Sequence, residues 1–568
     1  MPHHRLRVRD FWHVPCNHKP VRVPIRCLLI LLLLRFLTVL PSHASPPNPI
    51  DDLILRAAKS HSAALSPLAS DSEFLRRVYL DLVGTIPTSS DARTFLADPS
   101  PNKRTDLIDR LMADPRFPQR MAEALDILWM ERRGDDDAWM KYLADSVRMD
   151  KPLDLIVREI LRPDFNSETI RGAGFFLTKR LDKVGQQETD YPGLTRDVGR
   201  LFLGVDLQCA QCHKHLTVND YKQIDFNGLF AVFQNLKLNE PSHGAKSKWV
   251  SEGLLTAKLE FTSVLNGNKG ATGPRVPFSD EVPLPELPED QRWLTPPDKK
   301  TKHPGIPRFS PLQALSERVT SPDNTLFARN MANRLWWMLT GRGLVEPLDL
   351  HHSDNPPSHP ELLDALSRDL IDNKFQLKPF LKSILLSSTY QRSSMLPDSA
   401  TPTADTLFTT AIERPLHAEQ LARAFLTATT GFPKAPDSPQ TVLIGTKSLK
   451  TKDVMTAFKK AFANAPREPE LAVNPSLRGA LFIRNNPLVL DALMPGPDHL
   501  LSRLIKEPST ERVAEELFLS VLTRHPDADE IRVVAQTLAE ATTEEAREVA
   551  CRNLAWAALA SIEFFTNH

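Results

Sequence analysis

Phe74-Leu75-Arg76-Arg77-Val78-Tyr79-Leu80-Asp81-Leu82-Val83-Gly84-Thr85-Ile86-Pro87 is the stretch of sequence that decides the fold class. Counted from Phe74, its apolar residues recur at i, i+1, i+4, i+5 and i+8, which is the spacing of one apolar helical face. Gly84 and Pro87 then follow as stop signals. The stretch therefore predicts an amphipathic helix that ends before Gly84.

Further apolar blocks with helical spacing follow this stretch, separated by Pro and Gly. They lie at 105–112, 121–129, 153–161 and 198–205. From about residue 239 the pattern changes, because 259–264 alternates like a strand, Asn266-Gly267 favours a tight turn, and prolines become dense. Helical spacing returns beyond Pro311. We therefore predict a mainly α protein with two helical domains, joined by a small β-containing, Pro-rich linker region.

The predicted boundaries follow these changes of pattern. A linker spans 45–70, with the folded part beginning near Ile50, and the regions after it are a first helical domain at 71–238, the β-containing segment at 239–308 and a second helical domain at 309–568. In the second domain, Ser358 and Glu361 have the spacing of a capping box. The chain closes with an apolar stripe expected to dock on the core, formed by Val549, Leu554, Ala558, Ile562 and Phe565.

Composition and charge limit the classes of function. Hydrophobic residues make up 41% and charged residues 25%, the balance of a soluble globular protein. Seventy basic residues match seventy acidic ones, and no basic stripe suits a phosphate backbone. We therefore expect no nucleic-acid partner.

The first 44 residues have the three-part pattern of a secretory signal peptide. A basic leader precedes apolar runs at 27–34 and 36–40, and the small-residue site Ser42-His43-Ala44 follows. Arg35 interrupts the apolar run, which is shorter than the roughly 20 residues of a membrane span. We expect an exported protein, periplasmic, cell-surface or secreted, with no transmembrane segment in the mature chain.

The pentad Cys209-Ala210-Gln211-Cys212-His213 carries the main chemical signal. C-x-x-C-H is the attachment pattern of c-type haem, in which two thiols bond to the porphyrin and the adjacent imidazole ligates iron. The apolar segments on either side, around Phe202 and Phe226, are candidate walls of a haem pocket. Cofactor binding is therefore assigned to Cys209, Cys212 and His213, with His213 as the axial ligand.

Two alternatives to haem stay open for the pentad. An oxidising compartment favours a Cys209–Cys212 disulfide. A zinc ion could instead take three ligands from Cys209, Cys212, His213 and His215, which makes His215 an alternative metal ligand. Cys551 is expected to be a buried free thiol without a catalytic role.

Several motifs resemble a family that is expanded in planctomycete bacteria. The stretches 74–87 and 202–213 are similar to a planctomycete cytochrome-type domain, and 330–336, 341–347 and 561–568 resemble its companion C-terminal domain. These are the domains of unknown function fifteen-forty-nine and fifteen-fifty-three. The resemblance runs from about Asp71 to the C-terminus and implies no defined reaction, because the cytochrome label itself depends on the C-x-x-C-H pattern.

The chain departs from the family pattern in two places. Many relatives carry a further cytochrome c-type domain upstream, for which this chain has no room, so no relay between two haems within the chain is expected. The family's His-Asp-His-Pro is here His213-Lys214-His215-Leu216, which retains the second histidine and keeps the metal alternative open.

The leading hypothesis is an exported c-type haem-binding protein for electron transfer or redox sensing, with a redox partner protein or an envelope component as partner. The alternative is a cell-envelope structural or interaction protein whose cysteine pair forms a disulfide or a zinc clip without haem. No enzyme with a defined reaction is expected, since nucleophile elbows, phosphate-binding loops and H-E-x-x-H helices do not occur. Asn333 and Arg334 are expected in a satisfied core network. No distal haem ligand stands out by spacing among Met331, Met338, His351 and His359.

Overall fold

The computed structural model describes residues 48–183, 185–241, 247–396, 401, 403–431, 441–468 and 476–568. Residues 49–568 form one compact unit. The predicted signal peptide at 1–44 lies outside the described residues.

The first part of this unit is helical, as the apolar blocks predict. Its first helix, Pro49–Ser60, lies within the segment assigned to the linker and starts where the folded part is expected to begin. In chain order the helices are α1 Pro49–Ser60, α2 Asp71–Val83, α3 Ser89–Ala97, α4 Lys103–Met112, α5 Arg116–Met130, α6 Asp137–Arg148, α7 Leu153–Leu161, α8 Phe175–Leu181, α9 Tyr191–Leu203 and α10 Gln223–Phe233.

The middle of the chain forms small antiparallel hairpins. The predicted strand at 259–264 is β3, which pairs with β4 across the Asn266-Gly267 turn, where Gly267 has a positive φ of 68°. The strands pair as β1 with β2, β3 with β4 and β5 with β6. Their bounds are β1 Leu236–Asn239, β2 Trp249–Glu252, β3 Leu259–Thr262, β4 Lys269–Thr272, β5 Trp293–Thr295 and β6 Ile306–Pro307.

The last part is again mainly helical, with two further two-stranded ladders, one between residues 414–415 and 566–567 and one between residues 441–444 and 447–450. The elements are α11 Pro311–Val319, α12 Thr325–Thr340, α13 Pro360–Asp372, α14 Leu377–Leu385, β7 Arg414–Pro415, α15 Ala418–Thr430, β8 Thr441–Ile444, β9 Lys447–Lys450, α16 Thr451–Phe462, α17 Leu477–Asn485, α18 Pro487–Ala492, α19 Leu500–Lys506, α20 Thr510–Val521, α21 Ala528–Ala539, α22 Glu544–Leu559, α23 Ile562–Phe565 and β10 Thr566–Asn567.

Two hydrophobic cores are built from these elements. The first takes nearly all of its side chains from residues 50–390, so that it includes helices from both predicted helical domains. The second takes most of its side chains from residues 416–564. Helix α2 contributes to both, since Phe74 and Leu75 belong to the first core and Leu80 to the second. The two cores therefore meet along α2.

Helix α2 begins and ends where its sequence predicts, but its polar face is buried too. The Ser70 side chain accepts from Glu73 N, and Gly84 ends the helix in the left-handed conformation. Arg76, Arg77 and Asp81 are each at most 3% exposed. We call Arg76, Arg77, Asp81 and Gly84 the α2 junction.

The polar side chains of the α2 junction hold the C-terminal end of the chain. The Arg76 guanidinium donates to the carbonyl oxygens of Phe564 at 2.9 Å and Glu563 at 3.1 Å. Arg77 Nε donates to His568 O at 3.0 Å. Asp81 accepts from Tyr390 Oη, Arg414 Nη2 and Asn567 Nδ2 at 2.8–3.0 Å. The C-terminus is therefore tied to the centre of the fold.

Two details of the second domain differ from the sequence-based expectation. The Ser358–Glu361 capping box is wrong, because α13 begins at Pro360 and its N-cap is His359. The C-terminal stripe is confirmed only in part: Leu554, Ala558 and Phe565 pack against the second core, whereas Val549 and Ile562 are exposed. The helix breaks after Leu559, so one continuous stripe cannot run to the end of the chain.

Among the helices described, none is long and apolar enough to cross a membrane.

Candidate functional site

The pentad lies on a short turn that follows α9. Gly204 ends α9 in the left-handed conformation, Val205 forms a β-bridge with Leu350, and His351 N donates to Gly204 O at 2.9 Å. Cys209–Gln211 then form one turn of 3₁₀ helix. The chain before the turn is therefore anchored to the loop that contains Leu350 and His351.

Within the pentad, the Ala210 side chain is buried in the first core and both thiols are exposed. Cys209 O accepts from the backbone N–H groups of Cys212 and His213, each at 3.3 Å. Cys212 O accepts from Val264 N at 3.0 Å and from Gln223 Nε2 at 3.1 Å. The backbone of the turn is thus held from both sides, while Cys209 and Cys212 are free thiols that face solvent.

The imidazole of His213 is oriented by its own neighbour. His213 Nδ1 lies 2.6 Å from Lys214 O. A carbonyl oxygen only accepts, so Nδ1 carries a proton, and in the neutral ring Nε2 then keeps its lone pair. Histidines that ligate a metal through Nε2 commonly hold their Nδ1–H in this kind of contact with a carbonyl. His213 is therefore presented as an Nε2 ligand.

His215 has the opposite arrangement. Its Nδ1 accepts from the backbone N–H of Val218 at 2.9 Å and of Thr217 at 3.3 Å. A neutral imidazole whose Nδ1 accepts carries its proton on Nε2. Neither ring nitrogen of His215 then offers a free lone pair, so His215, the alternative metal ligand of the sequence analysis, differs from His213 in its hydrogen bonds.

The aromatic side chains expected as walls of a haem pocket are buried in the core. Phe202 and Phe226 are at most 2% exposed and belong to the first core. Apolar side chains that do face solvent lie close to the pentad in sequence or through its hydrogen bonds: Leu216, Val264, Leu265 and Phe278. Val264 is bonded to Cys212 O, and Phe278 stacks on Tyr221, whose carbonyl accepts from His215 N. Three of these four residues lie in the β-containing segment at 239–308, which therefore supplies most of the exposed apolar surface near the pentad.

The other candidate ligands are not gathered around the pentad by any contact that the structure describes. Across the described residues, no group of three or more His, Cys, Asp and Glu side chains is arranged to hold a metal ion. Met331, Met338, His351 and His359 are all buried. Burial, together with the charge of Arg334, lowers the pKa of His351 to about 3, so this imidazole is neutral.

A buried charged network lies beside α9, and the sequence gives little sign of it. Arg200 is bonded to Glu131 at 2.6 Å, to Asp197 at 3.1 Å and to Asp349 at 3.0 Å. Arg334 Nη2 donates to Arg200 O at 2.8 Å. The salt bridges to Glu131 and Asp349 join Arg200 to residues more than 60 positions away in sequence, so no local pattern could have indicated them.

Asn333 and Arg334 belong to satisfied core networks, as predicted. Asn333 Oδ1 accepts from Leu344 N at 2.7 Å, and its amide donates to Val345 O at 2.9 Å. Arg334 Nε donates to Asn330 Oδ1 at 3.1 Å. These side chains therefore hold α12 to its neighbours.

Two families of unknown function match different parts of the chain. The family PSCyt2, whose description is "Protein of unknown function (DUF1549)", matches residues 49–238, which include the pentad. PSD1, a protein of unknown function (DUF1553), matches residues 313–538. The chain therefore belongs to the family that carries this pair of domains. No curated protein and no solved structure matches it.

Proposed function

We propose that the protein is an exported c-type haem-binding protein that acts in electron transfer or redox sensing in the cell envelope. The observation that carries the proposal is the contact of His213 Nδ1 with Lys214 O at 2.6 Å, which leaves Nε2 free on the residue that C-x-x-C-H assigns to the iron.

The residues present fit a covalently held haem. Cys209 and Cys212 are exposed free thiols at the two ends of one tight turn, so both Sγ atoms are accessible to a porphyrin. They would hold the haem through thioether bonds, and His213 Nε2 would ligate the iron. The bound haem would supply one-electron redox chemistry.

The chain's own residues set the environment of that group. The Lys214 carbonyl keeps the proton on His213 Nδ1, which raises the basicity of the ligating nitrogen. Arg196 Nη1 donates to Gln211 Oε1 at 2.5 Å and ties the turn to α9. The exposed apolar residues Val264 and Leu265 would cover part of the porphyrin from the hairpin side.

The decisive test is purification of the full chain from a host that has haem-maturation machinery. A pyridine haemochrome spectrum and the covalent mass of one haem are expected. Cys209→Ala and Cys212→Ala should each lose covalent haem, while Cys551→Ala, the matched control at a buried thiol, should keep it.

The two histidines provide a second, sharper comparison. His213→Ala should shift the Soret and visible bands of the haem by removing the axial imidazole, whereas His215→Ala should leave these bands unchanged, because His215 Nδ1 is engaged by backbone N–H groups. Absence of haem from the unmodified protein would overturn the proposal. Thiol counting and elemental analysis would then decide between the disulfide and the zinc clip.

A further inference from the structure

Arg120 and Arg423 lie together where the two family domains meet. Arg120 is on α5, within the match to the first domain, and Arg423 is on α15, within the match to the second. Arg120 is 5% exposed, and the side chain of Arg423 is 14% exposed. Two guanidinium groups are thus brought together inside the protein.

Gly84 of the α2 junction creates the room for both side chains. A Cβ at Gly84 would lie 2.8 Å from Arg120 Cδ and 2.9 Å from Arg423 Nη1. Both atoms therefore converge on the same point, and glycine is required there on steric grounds as well as by its φ of +72°.

The two guanidinium groups are not matched by acceptors. Arg423 Nη2 donates to Glu123 Oε1, but Arg423 Nη1 and Arg120 Nε and Nη1 are buried without a hydrogen-bond partner in the part of the chain that is described. Arg120 forms no salt bridge with any described residue. Against these three unpaired donor atoms, the site offers one unpaired acceptor atom among the described residues, Glu123 Oε2.

Neighbouring carboxylates do not supply the missing charge, since each already has its own cation. Asp81 is paired with Arg414 at 3.0 Å, and Glu419 with Arg132 at 2.7 Å. Glu123 forms a salt bridge with Arg423. Arg120 is therefore a buried cation without a carboxylate of its own.

A buried charge of this kind costs several kcal/mol unless it is paired. Burial lowers the pKa of Arg120 to about 10, and burial with the repulsion from Arg120 lowers that of Arg423 to about 9. Both groups therefore stay charged at neutral pH, and deprotonation does not remove the imbalance.

We propose that a small inorganic anion, chloride, binds between Arg120 and Arg423 beside Gly84. One chloride accepts from several N–H donors at once and supplies the negative charge that the site lacks. A water molecule would satisfy the hydrogen bonds but would leave the charge of Arg120 uncompensated. The anion links the two domains, since each contributes one arginine.

The test is thermal unfolding of the full chain in sodium chloride and in sodium gluconate at the same ionic strength of about 0.15 M. Because chloride binds only the folded state, the unfolding midpoint in chloride should be higher by about 3 °C. Arg120→Met should lose this difference and should gain stability in gluconate, where its buried charge is removed without a partner being lost. Arg532→Met, at a side chain 63% exposed, is the control and should keep the difference.

Bromide-soaked crystals of the unmodified protein give a measurement that does not depend on the folding of a variant. An anomalous peak within hydrogen-bond distance of Arg120 Nη1 and Arg423 Nη1 is expected. Equal midpoints in the two salts, retention of the chloride effect in Arg120→Met, or only a water molecule at this position would overturn the proposal.

Discussion

The pentad and the α2 junction both belong to clear sequence motifs, but the pentad is exposed and the junction is buried. The pentad presents its two thiols to solvent and holds its turn mainly by backbone hydrogen bonds. The junction instead buries Arg76, Arg77 and Asp81, which bond to residues more than 300 positions away. Changes at the junction should therefore affect the stability of the whole fold, whereas changes at the pentad should affect chemistry alone.

The largest effect is expected from Asp81→Ala. This substitution leaves the Arg414 guanidinium, the Tyr390 hydroxyl and the Asn567 amide without their shared acceptor in a buried site. Removal of one partner of a buried ion pair costs about 3–5 kcal/mol. Urea denaturation of the apoprotein followed by circular dichroism measures the change.

Asp529→Ala is the matched control, since this carboxylate is 80% exposed and its one salt bridge among the described residues is with Arg532 on the same helix. Its removal should change the free energy of unfolding by less than about 0.5 kcal/mol. Equal effects of the two substitutions would show that the α2 junction does not hold the fold together.

Local periodicity predicts helix α2 and its end at Gly84, because both depend on residues that are close in sequence. It cannot predict that the polar face of α2 is buried, because the partners of Arg76 and Arg77 are carbonyl oxygens near residues 390 and 564. The polar face of α2, which an amphipathic pattern would place in solvent, is therefore buried where the two cores meet.

The candidate site also has one part that the sequence predicts and another part that it does not. The sequence identifies Cys209, Cys212 and His213, and it leaves His215 open as an alternative metal ligand. His213 and His215 differ in which local backbone group contacts each Nδ1, and only coordinates reveal that difference. The haem itself stays a prediction.

Gly84→Ala should produce the next largest effect. An alanine there must adopt a φ of +72° and would collide with Arg120 and Arg423. Strain and overpacking together should cost about 3 kcal/mol. Gly431→Ala is the control, since Gly431 has a φ of +65° with no atom within 4 Å of its added Cβ, and it should cost about 1 kcal/mol. Urea denaturation measures the loss of unfolding free energy in both variants. Equal losses would show that the close approach of the arginines to Gly84 adds nothing to the cost of the substitution.

The smallest effects should come from the cysteines, and they sharpen the contrast between surface and core. Cys551→Ser places a hydroxyl at a site that is 0% exposed, which should cost about 1–3 kcal/mol in the apoprotein. Cys209→Ser exchanges one exposed polar atom for another and should change the free energy of unfolding by less than about 0.5 kcal/mol. A large loss at Cys209 would mean that its sulfur is cross-linked to Cys212 in the apoprotein, because a free exposed thiol has no contacts to lose. Differential calorimetry of both variants therefore tests the disulfide alternative through stability, independently of any haem spectrum.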